Sequence, residues 1–144
     1  MKVTNMVLTT RIGVKLNLPA LANAVNGAQY HPHRFRGLIL KLEKGTCLVF
    51  HNGQVVIVGV TSRREGEQAM RDLVHVVRDV GEDVKNSVLC LKNIVAYHDF
   101  GTKVELCALY NKLRSHYDVS YEPEISPALM LKLPYTVRIF HNGK

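Results

Sequence analysis

The sequence predicts an α+β fold, antiparallel sheet with helices on one face, assembled from two copies of one unit. Three observations predict it. Three blocks recur in the same order with a spacing of about 90 residues. β-branched runs are joined by an Asn-Gly pair, the strongest short hairpin signal. One long segment carries apolar residues at helical spacing.

The recurrence is specific. "NMVLTTRIGVKLNLPALANAV" (5–25) overlays "NIVAYHDFGTKVELCALYNKL" (93–113) at an offset of 88, with Asn5/Asn93, Gly13/Gly101, Lys15/Lys103, Leu18/Leu106, Leu21/Leu109 and Asn23/Asn111 coinciding. "HPHRFRGLILKL" (31–42) falls on "EPEISPALMLKL" (122–133) at 91, and "FHNG" at Phe50–Gly53 meets "FHNG" at Phe140–Gly143 at 90. The drift between blocks is absorbed in loops. The duplication sets a first repeat at 1–85 and a second at 86–144. After its "HNG" the first copy continues with "QVVIVGVTSRREGEQAMRDLVHVVRDVG", and the second has only Lys144. A C-terminally incomplete second repeat is therefore expected, with Val137–Phe140 presenting a free strand edge that invites pairing with another chain.

Each element follows from its residues. "KVTNMVLTTRI" is rich in β-branched residues with partial alternation and predicts a strand. "NLPALANAVNG" predicts a short helix with Asn17 as cap and Gly27 as stop. "RFRGLILKL" and "TCLVFH" are strands joined by a tight "EKG" turn, and "HNGQ" opens a hairpin into "QVVIVGV". "SRREGEQAMRDLVHVVRDVG" places Met70, Leu73, Val76, Val77 and Val80 on one helical face. The second copy repeats strand, helix (103–115), strand and strand.

Composition narrows the function. Of 144 residues, 47% are hydrophobic and 22% charged, as in a folded domain, and no apolar run approaches the roughly 18 residues of a membrane span. The net charge of +7 suits a nucleic acid or another anionic surface. Cys47, Cys90 and Cys107 form no Cys-x-x-Cys pair and each lies in an apolar run, so they are expected as buried free thiols. His31 and His33 lack companions at metal-ligand spacing, so neither metal nor cofactor is expected. There is no Gly-x-Gly-x-x-Gly, no Walker loop, no His-Glu-x-x-His and no nucleophile–base pair, which argues against an enzyme.

The strands "LIL" (38–40) and "VVIV" (55–58) are apolar on both faces, yet the helices suffice for one side only. The other side is then a broad apolar surface that needs a partner. A second protein layer is one candidate. Another is the DNA minor groove, where apolar wedges enter base steps and a rim of Arg34, Arg36, Lys41, Lys44 and Lys132 holds phosphates.

"YHPHRFRGLILKL", "LVFHNGQVVIVG" and "SYEPEISPALMLKL", with the Asn-x-Val strand openings, resemble the TATA-box-binding protein family and its TBP-like relatives from Asn5 to Lys144. The resemblance implies a saddle of two pseudo-symmetric repeats, helices on its convex side and double-stranded DNA bent in its concave side. It implies that Asn5 and Asn93 donate hydrogen bonds to A·T minor-groove acceptors, with Val7, Val95, Val56 and Val58 as apolar contacts. Phe35 and Phe50 match one wedge pair and Phe140 one member of the other. Arg34, Lys41 and Lys132 match phosphate contacts, while Tyr121, Glu122 and Glu124 match a surface for transcription factor IIB. Transcription factor IIA and a nuclear location are also implied; self-association is expected from the free edge of 137–140, and no membrane association from the lack of a long apolar run. The sequence departs from the family at Ser126, where a fourth wedge phenylalanine is expected, and at Gln54 and Thr61, which replace lysines. The turn at Leu133–Tyr135 is shorter. Two rivals stay open: a protein-interaction module whose sheet is covered by a protein partner, and an accessory domain of a nucleic-acid enzyme.

Overall fold

In the computed structural model, which describes residues 1–85 and 88–144, nine strands and three helices form two compact units. The larger spans Val3–Ala96, and the smaller Tyr97–Lys144 together with Met1 and Lys2. The repeat boundary at residue 86 abuts Asn86 and Ser87, which lie outside the described residues. The larger unit reaches past that boundary because the strand 90–97 joins the sheet of the first repeat.

The larger unit contains β1 (Lys2–Arg11), α1 (Leu18–Ala24), β2 (Ala28–Tyr30), β3 (Leu38–Lys41), β4 (Thr46–Val49), β5 (Gln54–Val60), α2 (Arg63–Asp79) and β6 (Cys90–Tyr97). Its sheet has the order β2-β3-β4-β5-β1-β6. Period-2 alternation sorts the side chains. Leu8, Leu38, Cys47, Val49, Val55 and Ile57 point into a core closed by Leu73 and Val77 of α2 and Leu18 and Leu21 of α1. β5 keeps this alternation only through a bulge: Met6 pairs with Val60 but Leu8 with Ile57, and the extra residue is accommodated at Gly59, whose φ is 76°.

The helices start on local caps. Asn17 accepts the Ala20 N–H, and Ser62 accepts the Glu65 N–H. The Glu65 carboxylate in turn accepts the Thr61 N–H at 2.7 Å and its hydroxyl at 3.0 Å. Chiefly through that N–H, Glu65 is held below the ordinary carboxylate range, and nearby Lys44 adds to the effect. α1 ends at Ala24 rather than at Gly27, with Val25 N–H closing onto Leu21, and Val80 is exposed beyond the last turn of α2. Val74, absent from the expected face, is buried instead.

The smaller unit contains α3 (Leu106–Leu113), β7 (Asp118–Ser120), β8 (Ala128–Lys132) and β9 (Thr136–Phe140) in a sheet of order β7-β8-β9, with α3 packed against β7 and β8. Helix 103–115 is thus shorter than expected, and the three-residue strands β2 and β7 had no sequence signal. Among the described residues the outer edge of β9 has no partner, and Val137 and Ile139 are only half-buried where their counterparts Cys47 and Val49 are fully buried.

The repeated "FHNG" now has a structural reason. Phe50 N–H donates to Gln54 O and Gly53 N–H to Phe50 O; Phe140 N–H donates to Lys144 O and Gly143 N–H to Phe140 O. Each turn is then docked to the loop after its repeat's first strand, Ile12 N–H to Gly53 O and Leu16 N–H to His51 O in one, Phe100 N–H to Gly143 O and Val104 N–H to His141 O in the other. Gly53 and Gly143 have φ of 79° and 83°, and a Cβ on either would collide with a backbone carbonyl, Val14 or Thr102. Gly53→Ala is expected to cost about 1–3 kcal/mol through φ strain alone, read as a lowered denaturant midpoint. An unchanged midpoint would contradict this docking.

The cysteine expectation holds for one residue of three. Cys47 is buried, but Cys90 and Cys107 are exposed. Burial, with a smaller push from Asp72, raises the Cys47 thiol to about 12. At neutral pH a thiol reagent should modify Cys90 and Cys107 rapidly and Cys47 only after unfolding, as mass spectrometry of modified peptides would show.

Candidate nucleic-acid interface

Among the described residues, the larger sheet has a second face with no helix on it. Cross-strand register lays a row over that face, Ile39 opposite Leu48, Leu48 opposite Val56, and Val56 opposite Thr9. All four are half-buried, alternating with the core residues, and Val7 and Val58 share their side. The surface is apolar because each strand is apolar on both sides, as "LIL" and "VVIV" required. Ile39 and Leu48 were missed as residues of this open face; pairing the core positions of two adjacent strands would have found them.

Asn5 shares the face with Val7 and is only half-buried. Its side-chain oxygen accepts the Gly59 N–H at 2.7 Å, the donor freed by the β5 bulge. Only the amide oxygen can accept from an N–H, so this bond fixes the rotamer and leaves the NH₂ group free to donate outward. Asn93 and Val95 lie on β6, every residue of which is exposed, and the 88-residue offset puts them in the positions of Asn5 and Val7.

Phe35, before β3, and Phe50, just after β4, come together. Their rings meet edge to face with centroids 5.7 Å apart and planes at 68°. Gly37 makes the room: a Cβ there would stand 2.6 Å from Cε1 of Phe35 and 3.1 Å from Phe50. In the smaller unit Ser126 and Ala128 occupy the positions of Phe35 and Gly37. The Ser126 hydroxyl accepts the Ala128 N–H at 3.3 Å, and Ala128 lies opposite Phe140, which is 36% exposed and, among the described residues, stacks on no other aromatic ring.

The charged residues differ in availability. Arg34 and Lys41 are exposed and, among the described residues, have no acidic partner. Lys132 lies 3.7 Å from Asp118, an exposed pair that a phosphate could displace at little cost. Tyr121 is half-buried and Glu122 and Glu124 are exposed on the loop before β8, where the Glu122 carbonyl accepts the N–H groups of Ile125 and Ser126.

Comparison with known proteins bears on the family and the fold. A family model described as "Transcription factor TFIID (or TATA-binding protein, TBP)" matches residues 1–80 and 89–144. The TATA-box-binding protein of Methanocaldococcus jannaschii is 32% identical over 99% of this chain and 80% of its own length. TATA-box-binding protein 2 of Entamoeba histolytica is 29% identical over 99% of this chain and 69% of its own. Among solved structures, Methanococcus jannaschii TBP superposes with a TM-score of 0.85 at 32% identity, covering 99% of this chain and 83% of that one. The α+β fold expected from the duplicated sequence is therefore the fold of these proteins, and the chain belongs to the TATA-binding protein family.

Proposed function

We propose that this chain is a transcription initiation factor that binds A·T-rich double-stranded DNA in the minor groove, bends it, and recruits general transcription factors. The observation that carries this reading is the helix-free apolar face of the larger unit with Asn5 set into it. A·T pairs show only acceptors in the minor groove, and an amide whose oxygen is already engaged offers only donors. Val7, Val56 and Val58 cover the sugars and base edges, the Phe35–Phe50 pair enters a base step, and Arg34, Lys41 and Lys132 meet phosphates. Asn93, Val95 and Phe140 do the same in the second repeat. Tyr121, Glu122 and Glu124 form an acidic patch for a factor IIB-like partner, with a factor IIA-like protein as a further partner. No step in this function is catalytic. A factor that binds DNA acts at the genome, which in a eukaryotic cell means the nucleus; the relatives include proteins of archaea, which have none.

Asn5→Asp tests the reading directly. Aspartate keeps the acceptor for Gly59 and so should preserve stability, but it replaces the donor with an anion. Affinity for an A·T-rich duplex should fall by at least about 1–3 kcal/mol, measured by fluorescence anisotropy. Unchanged affinity would contradict the assignment. In the same assay, Arg34→Ala should flatten the slope of log affinity against log salt by about 0.9.

A second reading, a protein-interaction module, is favoured by the exposed Leu91, Val95 and Tyr97 on β6. Self-association through that apolar strand would appear in sedimentation as a concentration-dependent mass. Steep loss of DNA affinity with salt separates the readings in favour of the first.

A further inference from the structure

The two repeats differ at the centre of their open faces. In the larger unit Ile39 faces Leu48 across β3 and β4. Offsets of 91 and 90 carry that pair to Met130 and Arg138, which face each other across β8 and β9. Leu129 is fully buried and Leu131, Val137 and Ile139 are half-buried, alternating with Arg138, which is exposed. Arg138 thus stands on the side away from the buried positions, where the first repeat has a leucine. Among the described residues its side chain makes no hydrogen bond and no ion pair, and Asp118, an acid of the same unit, is engaged with Lys132.

A leucine and an arginine at this point ask for different DNA. A leucine lies against a groove opened and flattened by bending, where apolar contact replaces hydration. A guanidinium carries charge, five donors and a strong preference for negative potential, which is greatest where the minor groove is narrow, as in A-tracts. The smaller unit also lacks the second wedge ring, since Ser126 and Ala128 replace the Phe35–Gly37 arrangement. Both differences act in one direction, towards a groove that is gripped rather than opened.

Resting on the DNA-binding reading above, we propose that Arg138 is a specificity-determining residue that inserts its guanidinium into a narrow A·T minor groove. The larger unit then selects DNA that is easily unstacked, and the smaller unit selects a stiff, narrow A-tract. The target is a composite site with one half of each kind, not a symmetric one.

The test compares the full chain with R138L and R138K on three duplexes of equal length: composite, alternating T-A throughout, and G·C. R138L installs the residue the first repeat carries in the same register, so the sheet accepts it. Wild type should prefer the composite duplex to the alternating one by several-fold. R138L should still bind the alternating duplex, lose that preference, and flatten the salt slope by about one unit, the loss of one cation–phosphate neighbourhood. R138K should keep the slope and lose part of the preference. If wild type binds DNA but R138L leaves both preference and slope unchanged, the role of Arg138 is overturned and DNA binding stands. If wild type binds none of the three, both are overturned.

Discussion

Phe50→Ala is expected to abolish most of the DNA bend, while Phe140→Ala changes it little. Opening a base step costs on the order of a few kcal/mol, which must be offset by ring surface inserted into the gap. In the larger unit Phe50 is braced by Phe35 at 5.7 Å, so on the proposed function the pair would enter as a stiff wedge. Phe140 stands alone opposite Ala128. A fluorescence-transfer measurement of end-to-end distance on a short duplex reads the bend. Equal losses in the two variants, or none in either, would contradict the wedge assignment. The geometry around Gly37 adds a condition. Ser126→Phe by itself would place a ring against the Ala128 methyl, because the corresponding Cβ at Gly37 would stand 2.6 Å from Phe35. A bend-enhancing second wedge should therefore require Ser126→Phe together with Ala128→Gly.

Leu40→Ala should destabilise the protein by about 2–5 kcal/mol, the range for a fully buried leucine, and Leu131→Ala by less than about half of that. The two leucines occupy the same position of the repeat, 91 residues apart. Leu40 is 4% exposed within a core closed by α1 and α2, whereas Leu131 is only half-buried. Fully buried apolar residues of the smaller unit are few: Leu106, Ala128 and Leu129. Removing methyl groups there uncovers less new surface and leaves less cavity. Chemical denaturation of both variants decides it. Equal losses would mean that the smaller unit is packed as tightly as the larger.

Much of this was legible in the residues. The duplication, the strands β1, β3, β4 and β5 and the helix α2 rest on strong local signals: β-branched runs, an Asn-Gly turn and helical spacing. β2 and β7, three residues each, carry no periodicity of their own and exist because β3 and β8 offer them an edge. The apolar double-sidedness of 38–40 and 55–58 announced an open face, but not which residues lie on it. That needed register, and the β5 bulge shifts parity beyond Gly59 in a way no alternation reveals. The bond from Gly59 to Asn5, 54 residues apart, was invisible for the same reason. Cys90 and Cys107 misled because an apolar neighbourhood in sequence is not burial: β6 is the outermost strand of its sheet and Cys107 lies on the open side of α3.

The central claim is that A·T base edges are read from the minor groove by amide donors on an apolar sheet. An inosine·cytosine duplex isolates it. Such pairs lack the minor-groove amino group of G·C, so their minor groove resembles A·T while their major groove resembles G·C. Affinities for matched A·T, I·C and G·C duplexes would be measured by anisotropy at one salt concentration. The minor-groove account predicts that I·C binds nearly as tightly as A·T, with G·C weaker by about 1–3 kcal/mol per substituted pair. An I·C duplex bound as weakly as G·C would contradict it.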